Sequence, residues 1–138
     1  MSALEIGAMW WAGYHLLCTL IYMTLYLLRQ IEPYTETENG ILAARVVERT
    51  FLYKLWRNGK IKTSGFALGF FIILIPSDAI NNIRLMRHES THVWQQLILG
   101  PLLPALYLLF SAALFCVLWD FYKAYYYNPF EIMARRSE

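Results

Sequence analysis

The segment His88-Glu89-Ser90-Thr91-His92 carries the most specific chemistry in this 138-residue chain. Two histidines four positions apart on a helix point the same way, one turn apart. That spacing lets two imidazoles take neighbouring positions on one Zn2+ ion. Glu89 starts at the next angular position, so its carboxylate can reach a metal-activated water instead of the metal. It can accept that water's proton and later deliver it to a leaving group. Chance would place this HExxH pattern only about 0.0025 times in a chain of this composition. The plainer alternative is a polar helix face with two surface histidines. The chain has three histidines in all and two of them fall in the motif, which favours the metal.

A zinc hydrolase needs a third protein ligand and an open fourth position. His15 lies far upstream in an apolar segment with no second ligand-type residue spaced to help it. A neutral imidazole bonded to a neighbouring helix or subunit accounts for it. No further histidine follows the motif at metzincin spacing; Gln96, Leu97 and Ile98 continue the helix instead. The acids of the C-terminal region are Asp120, Glu131 and Glu138. Asp120 ends an apolar run, and Glu138 lies in a tail expected to fray. Glu131 follows Asn128, a good N-cap, and Pro129, which suits the first helical position. It therefore falls at the third position of a new helix. A glutamate there either closes a capping box or, held firmly by the capped turn, ligates a metal. The histidine pair favours the second role.

Taken together, His88-Glu89-Ser90-Thr91-His92-Val93-Trp94-Gln95-Gln96 and Asn128-Pro129-Phe130-Glu131 with Ala134 resemble the gluzincin metallopeptidases. The similarity is to small forms with an HExxHxxQ helix and an NPxE-type second helix. Ala67 to Leu74 resembles the strand that precedes their active-site helix. The resemblance covers roughly the second half of the chain. It implies Zn2+ on His88, His92 and Glu131, with Glu89 as general base. It also implies that residues 66 to 75 add a substrate peptide as a further strand. Two features depart from the family pattern. No histidine or tyrosine is clearly placed as an oxyanion donor, with Tyr125, Tyr126 and Tyr127 as undistinguished candidates. An apolar run also stands between the histidines and Glu131.

The elements that must position these residues are mostly apolar. Apolar residues make up 58% of the chain and charged ones 16%, with five Trp and ten Tyr. Disorder, a collagen-like repeat and a disulfide scaffold are thereby excluded. The net charge of +2 is too small to argue for nucleic acid. Cys18 and Cys116 both sit in apolar runs and read as buried free thiols. A chain this small and this apolar is expected to be a membrane protein or a subunit of a larger assembly.

The expected fold is a mainly α membrane protein with a minimal zincin-like core. Leu4 to Leu28 is long enough to cross a bilayer, so residues 1–29 read as a transmembrane anchor. Residues 30–138 read as the metal-binding domain, including an apolar helix over 102–119. From about Glu38 to Trp56 the pattern is helical, either packing on the next element or lying in a membrane interface. Gly65 to Pro76 is too short to span and rich in β-formers, which predicts a strand over 66–75. Ser77 or Asp78 can cap the helix that ends at Gly100 and carries HExxH.

Basic residues cluster between the two long apolar runs, which puts that region, and the metal site, on the cytoplasmic side or in the membrane interface. A straight crossing by 102–119 would place His88 and Glu131 on opposite faces. Either the tail folds back to a helix dipping into the membrane, or 102–119 does not cross, or Glu131 is no ligand. The prolines at 101 and 104 and the marginal length favour the second. The expected function is a membrane-bound zinc-dependent peptidase, its partners the lipid bilayer and a peptide or protein substrate. The alternative is a non-catalytic subunit of a membrane complex with a retained or vestigial metal site, contacting other subunits. No nucleic acid is expected.

Overall fold

The computed structural model describes residues 1–34, 41–58, 65–74 and 83–138. The chain opens with α1 (Ala3–Leu27), started by a reciprocal capping box between Ser2 and Glu5. His15, Cys18 and Tyr22 are the buried residues of α1. Their spacing of three and four places them on one face. Among the described residues, four short strands follow, interrupted by one helix: β1 (Ile31–Tyr34), β2 (Leu42–Val46), α2 (Phe51–Asn58), β3 (Gly65–Leu68) and β4 (Phe71–Leu74). They form one sheet in the order β1-β2-β4-β3. The β1–β2 and β3–β4 pairs are antiparallel, while β2–β4 is parallel.

All four β4 residues are buried, because both sheet faces are covered. Phe71 and Ile73 join Tyr22, Ile31, Ala44 and Val46, with Leu52, Tyr53 and Trp56 of α2 packed against them. Ile72 and Leu74 join Ala43 on the other face, against Val93, Leu85, Met86 and Leu97. Those last four residues belong to α3 (Ile83–Leu99), the HExxH helix. The sheet thus serves as the base on which α3 lies.

The region expected as a single strand is a tight hairpin. Gly69 and Phe70 form its turn, with Leu68 opposite Phe71. Gly69 has φ +58°, and a Cβ there would come within 2.7 Å of Cys18 Cβ. Both facts require glycine. Ile75 and the proposed caps Ser77 and Asp78 lie outside the described residues. Over its described part, from residue 41, the helix expected over 38–56 is instead β2 and α2, divided at Arg49 with φ +67°. β2 can be a strand because β1 and β4 flank it, a nonlocal pairing that overrides the 3.6-residue pattern.

The expected membrane class and integral-membrane location are corrected. Among the described residues, no single helix is long and apolar enough to cross a membrane. With 25 residues, α1 has the length, but His15, Gly13, two Trp and three Tyr dilute its hydropathy. The next helix, α4 (Leu102–Leu118), has only 17 residues. Among the described residues, only α3 and α4 together have a spanning length and composition, and they are bent by 113°. The inferred sidedness of the metal site falls with this reading.

The bend also removes the conflict over Glu131. Gly100 ends α3 with φ +54°, and Trp11 packs where its side chain would be. After α4 the chain reverses at Trp119, which has φ +49°. Asp120 then caps α5 (Phe121–Tyr126), accepting from Lys123 N at 3.1 Å. Phe121 stacks on Phe115 of α4 at 4.1 Å, folding α5 back. The last helix, α6 (Pro129–Arg136), returns to pack against α3.

Candidate metal centre

Glu131 is presented by a capped turn. Asn128 Oδ1 accepts from Phe130 N at 3.1 Å, and Pro129 occupies the start of α6. Asn128 Nδ2 donates to Tyr107 O at 3.1 Å and lies 2.8 Å from Ser111 Oγ. The cap is therefore anchored to α4 as well as to its own helix. Asn128 N donates to Tyr125 O, so a capping box is not required of Glu131. Its carboxylate turns to the histidines instead. Glu131 Oε2 lies 3.3 Å from His88 Nε2, and Oε1 lies 3.3 Å from His92 Nε2. The two Nε2 atoms are 3.2 Å apart. The candidates His88, His92 and Glu131 are thus brought together into a group that could hold a metal ion.

The outward nitrogens are also occupied. His88 Nδ1 donates to Glu138 Oε1 at 2.9 Å, and His92 Nδ1 donates to Gln95 Oε1 at 2.8 Å. When neutral, each ring then presents an unprotonated Nε2 toward the other and toward Glu131. Electron-rich atoms of three residues converging without an intervening cation is an unfavourable arrangement. Glu131 Oε2 is buried and lacks a hydrogen bond. The donor set therefore fits a cation.

Electrostatics agree. Burial alone would raise the Glu131 carboxyl, but His88 and His92, when protonated in place of a bound metal, outweigh it and hold the group well below its ordinary range. Burial would lower both histidines, but Glu131 and Glu89 shift them upward. Glu89 is 5% exposed. Desolvation pushes it up to about 7, against the opposing pull of His92 and His88.

A cleft of about 470 Å3 opens beside the group. Its lining includes Glu89, Gly65 and Ala67 of β3, Tyr107 of α4 and Tyr125 of α5. A Cβ at Gly65 would stand 3.5 Å from Glu89 Cγ, so the strand approaches this carboxylate closely. Of the three tyrosines named as candidate donors, Tyr125 reaches the cleft. Tyr126 lies beneath Arg135, and Tyr127 is exposed.

Some site residues escape the sequence reading. Tyr107 donates to Glu131 Oε1 at 2.8 Å, yet it sits in an uncharged run with no local signal. Glu138, expected to fray, reaches His88. Gln96 follows the Gln95 of the HExxHxxQ pattern and reads in the sequence only as a continuation of the helix. Its Oε1 accepts from Tyr14 OH at 2.8 Å and Gly69 N at 2.6 Å, while Nε2 donates to Ala67 O at 3.0 Å. His15 is not part of the metal group and packs against the rings of Trp11 and Phe70.

No protein-family model matches the chain, and no curated protein or solved structure matches it. The gluzincin resemblance thus rests on the motifs and on this side-chain cluster.

Proposed function

We propose that the protein is a zinc-dependent peptidase of gluzincin type. The observation that carries this reading is the convergence of the ligand atoms: the two Nε2 atoms lie 3.2 Å apart, His88 Nε2 lies 3.3 Å from Glu131 Oε2, and His92 Nε2 lies 3.3 Å from Glu131 Oε1. Two donors about 2.0–2.1 Å from one ion at the tetrahedral angle are about 3.3–3.4 Å apart. Three such donors leave the fourth position open, as catalytic zinc sites do. A bound Zn2+ would supply Lewis acidity and a water acidified toward neutral pH.

Within that reading, Glu89 is the proton carrier. Its pKa near 7 suits a group that takes a proton and returns it at neutral pH. Glu131 and the histidines hold the ion, and Tyr107 fixes the Glu131 carboxylate. The peptide class is supported by β3, an edge strand lining the cleft. Edge strands offer unpaired backbone groups to an extended chain. Ala67 O is already taken by Gln96, so pairing would use the remaining groups of Gly65 and Ala67.

The test combines zinc content with hydrolysis of unstructured peptides. Glu89→Gln is expected to retain zinc and lose hydrolysis by at least about 100-fold, the scale of a lost general base. Equal hydrolysis by wild type and Glu89→Gln would refute the peptidase.

A second reading, a subunit of a larger assembly, is favoured by exposed large apolar residues. Trp10, Leu16, Leu17 and Leu20 of α1 and Leu108, Leu109 and Val117 of α4 are all exposed. Apolar exposure on this scale marks interaction surfaces. A purified protein that stays monomeric across a wide concentration range would count against it.

A further inference from the structure

We propose that Glu138 is a positioning residue for the metal ligand His88, fixing the ring tautomer that turns Nε2 toward Glu131 and His92. This rests on the metal-binding reading above. The geometry begins with the 2.9 Å contact between Glu138 Oε1 and His88 Nδ1. An ionised carboxylate can only accept a hydrogen bond, so it holds the proton on Nδ1. The lone pair of Nε2 is then committed to the centre of the site.

The contact is supported by its surroundings. Ser137 N donates to Ala134 O, and Glu138 N donates to Arg135 O. The backbone therefore stays coiled past the end of α6. Ser137 Oγ lies 2.7 Å from Thr91 Oγ1 and 3.3 Å from Arg87 O. Thr91 is one turn along α3 from His88, so these contacts seat Glu138 beside the imidazole. The side chain of His88 is only 12% exposed, against 35% for Glu138.

The other ligand is held across the same two helices by different chemistry. His92 donates to Gln95, whose Nε2 in turn donates to Phe130 O of α6 at 3.1 Å. Gln95 is neutral, whereas Glu138 is anionic. With a divalent ion bound, Glu131 compensates one positive charge and Glu138 lies one ring further out to compensate the other. A carboxylate behind a ligating imidazole also makes that imidazole a stronger donor.

The experiment uses the full chain and zinc alone as the probe. Zinc affinity is measured by competition with a chromophoric chelator for wild type, Glu138→Ala, Glu138→Gln and Glu131→Gln. The expected result is a loss of about 10–100-fold for Glu138→Ala. Glu138→Gln, which keeps an acceptor oxygen, should recover most of that loss. Nitrogen-15 spectra of the zinc-loaded protein should show a slowly exchanging His88 Nδ1–H in wild type that is lost in Glu138→Ala. If Glu138→Ala binds zinc as tightly as wild type, with the His88 signal unchanged, the inference is overturned while the metal site stands. If wild type fails to bind zinc, or Glu131→Gln binds it equally well, the metal reading falls and this inference with it.

Discussion

Glu89 and Glu131 are carboxylates of one site whose surroundings push them in opposite directions. Desolvation raises Glu89 to about 7, while the two histidines hold Glu131 low against its burial. Under the proposed peptidase function two roles follow from two environments: a proton carrier and a permanent anion. Glu131→Gln is expected to weaken zinc binding by more than about 100-fold, beyond the loss typical of an outer partner. Competition titration checks this. The metal-free protein has a distinct pH signature. Glu89, His88 and His92 all have folded pKa values above their ordinary ones, so the folded state binds more protons than the unfolded state. Their contribution to stability is complete below about pH 4.5 for Glu89 and below about 6.5 for the histidines. It is lost as pH rises through the raised values. Urea unfolding in chelator should therefore show declining stability from about pH 5 to pH 8. Glu89→Gln should lessen that decline, leaving the metal-free variant about 2–3 kcal/mol more stable than wild type at pH 8. Zinc binding should run the other way. It requires unprotonated histidines, so affinity should rise over the same interval.

At the scale of elements, the legible parts are those whose determinants are local. The HExxH helix and the Asn128-Pro129 start of α6 follow from a few adjacent residues, and both are where those residues predict. The hairpin was half legible. Its β-formers were read correctly, but as one strand, because a two-residue turn at Gly69-Phe70 barely interrupts the apolar run. β2 was read as helix because its pairing partners lie at residues 31–34 and 71–74, outside any local window. The joints between elements were least legible of all. Gln96 contacts α1, β3 and the hairpin turn through one amide. Replacing it by leucine should leave the buried Gly69 N–H unpaired and release Tyr14. We expect a loss of about 2–3 kcal/mol in urea unfolding. Faster hydrogen exchange at Gly69 N–H would locate that loss at the hairpin turn.

At the scale of the whole molecule, composition pointed to a membrane, and the arrangement of residues along each helix does not. Composition counts Tyr and Trp as apolar, whereas in α1 they alternate with Gly, His and Thr and no span results. The apolar residues are spread over one buried sheet and over the exposed faces of α1 and α4. What closes the molecule around the site is the return of α6 to α3. The ligands come from both helices, so a metal ion would cross-link them where the connection through α4 and α5 is long and bent. That predicts a global effect of a local ligand. An ion that binds only the folded chain stabilises it by about 2.7 kcal/mol at 100 times its Kd and by about 4.1 kcal/mol at 1,000 times. For a chain of this size each kcal/mol is worth about 3–5 °C. Saturating zinc should therefore raise Tm by roughly 8–20 °C, and chelation should reverse the gain. Glu131→Gln should lose most of the gain, since without its carboxylate the ion binds α3 alone. A zinc-dependent rise of equal size in Glu131→Gln would mean that the ion sits on the histidines without joining the two helices.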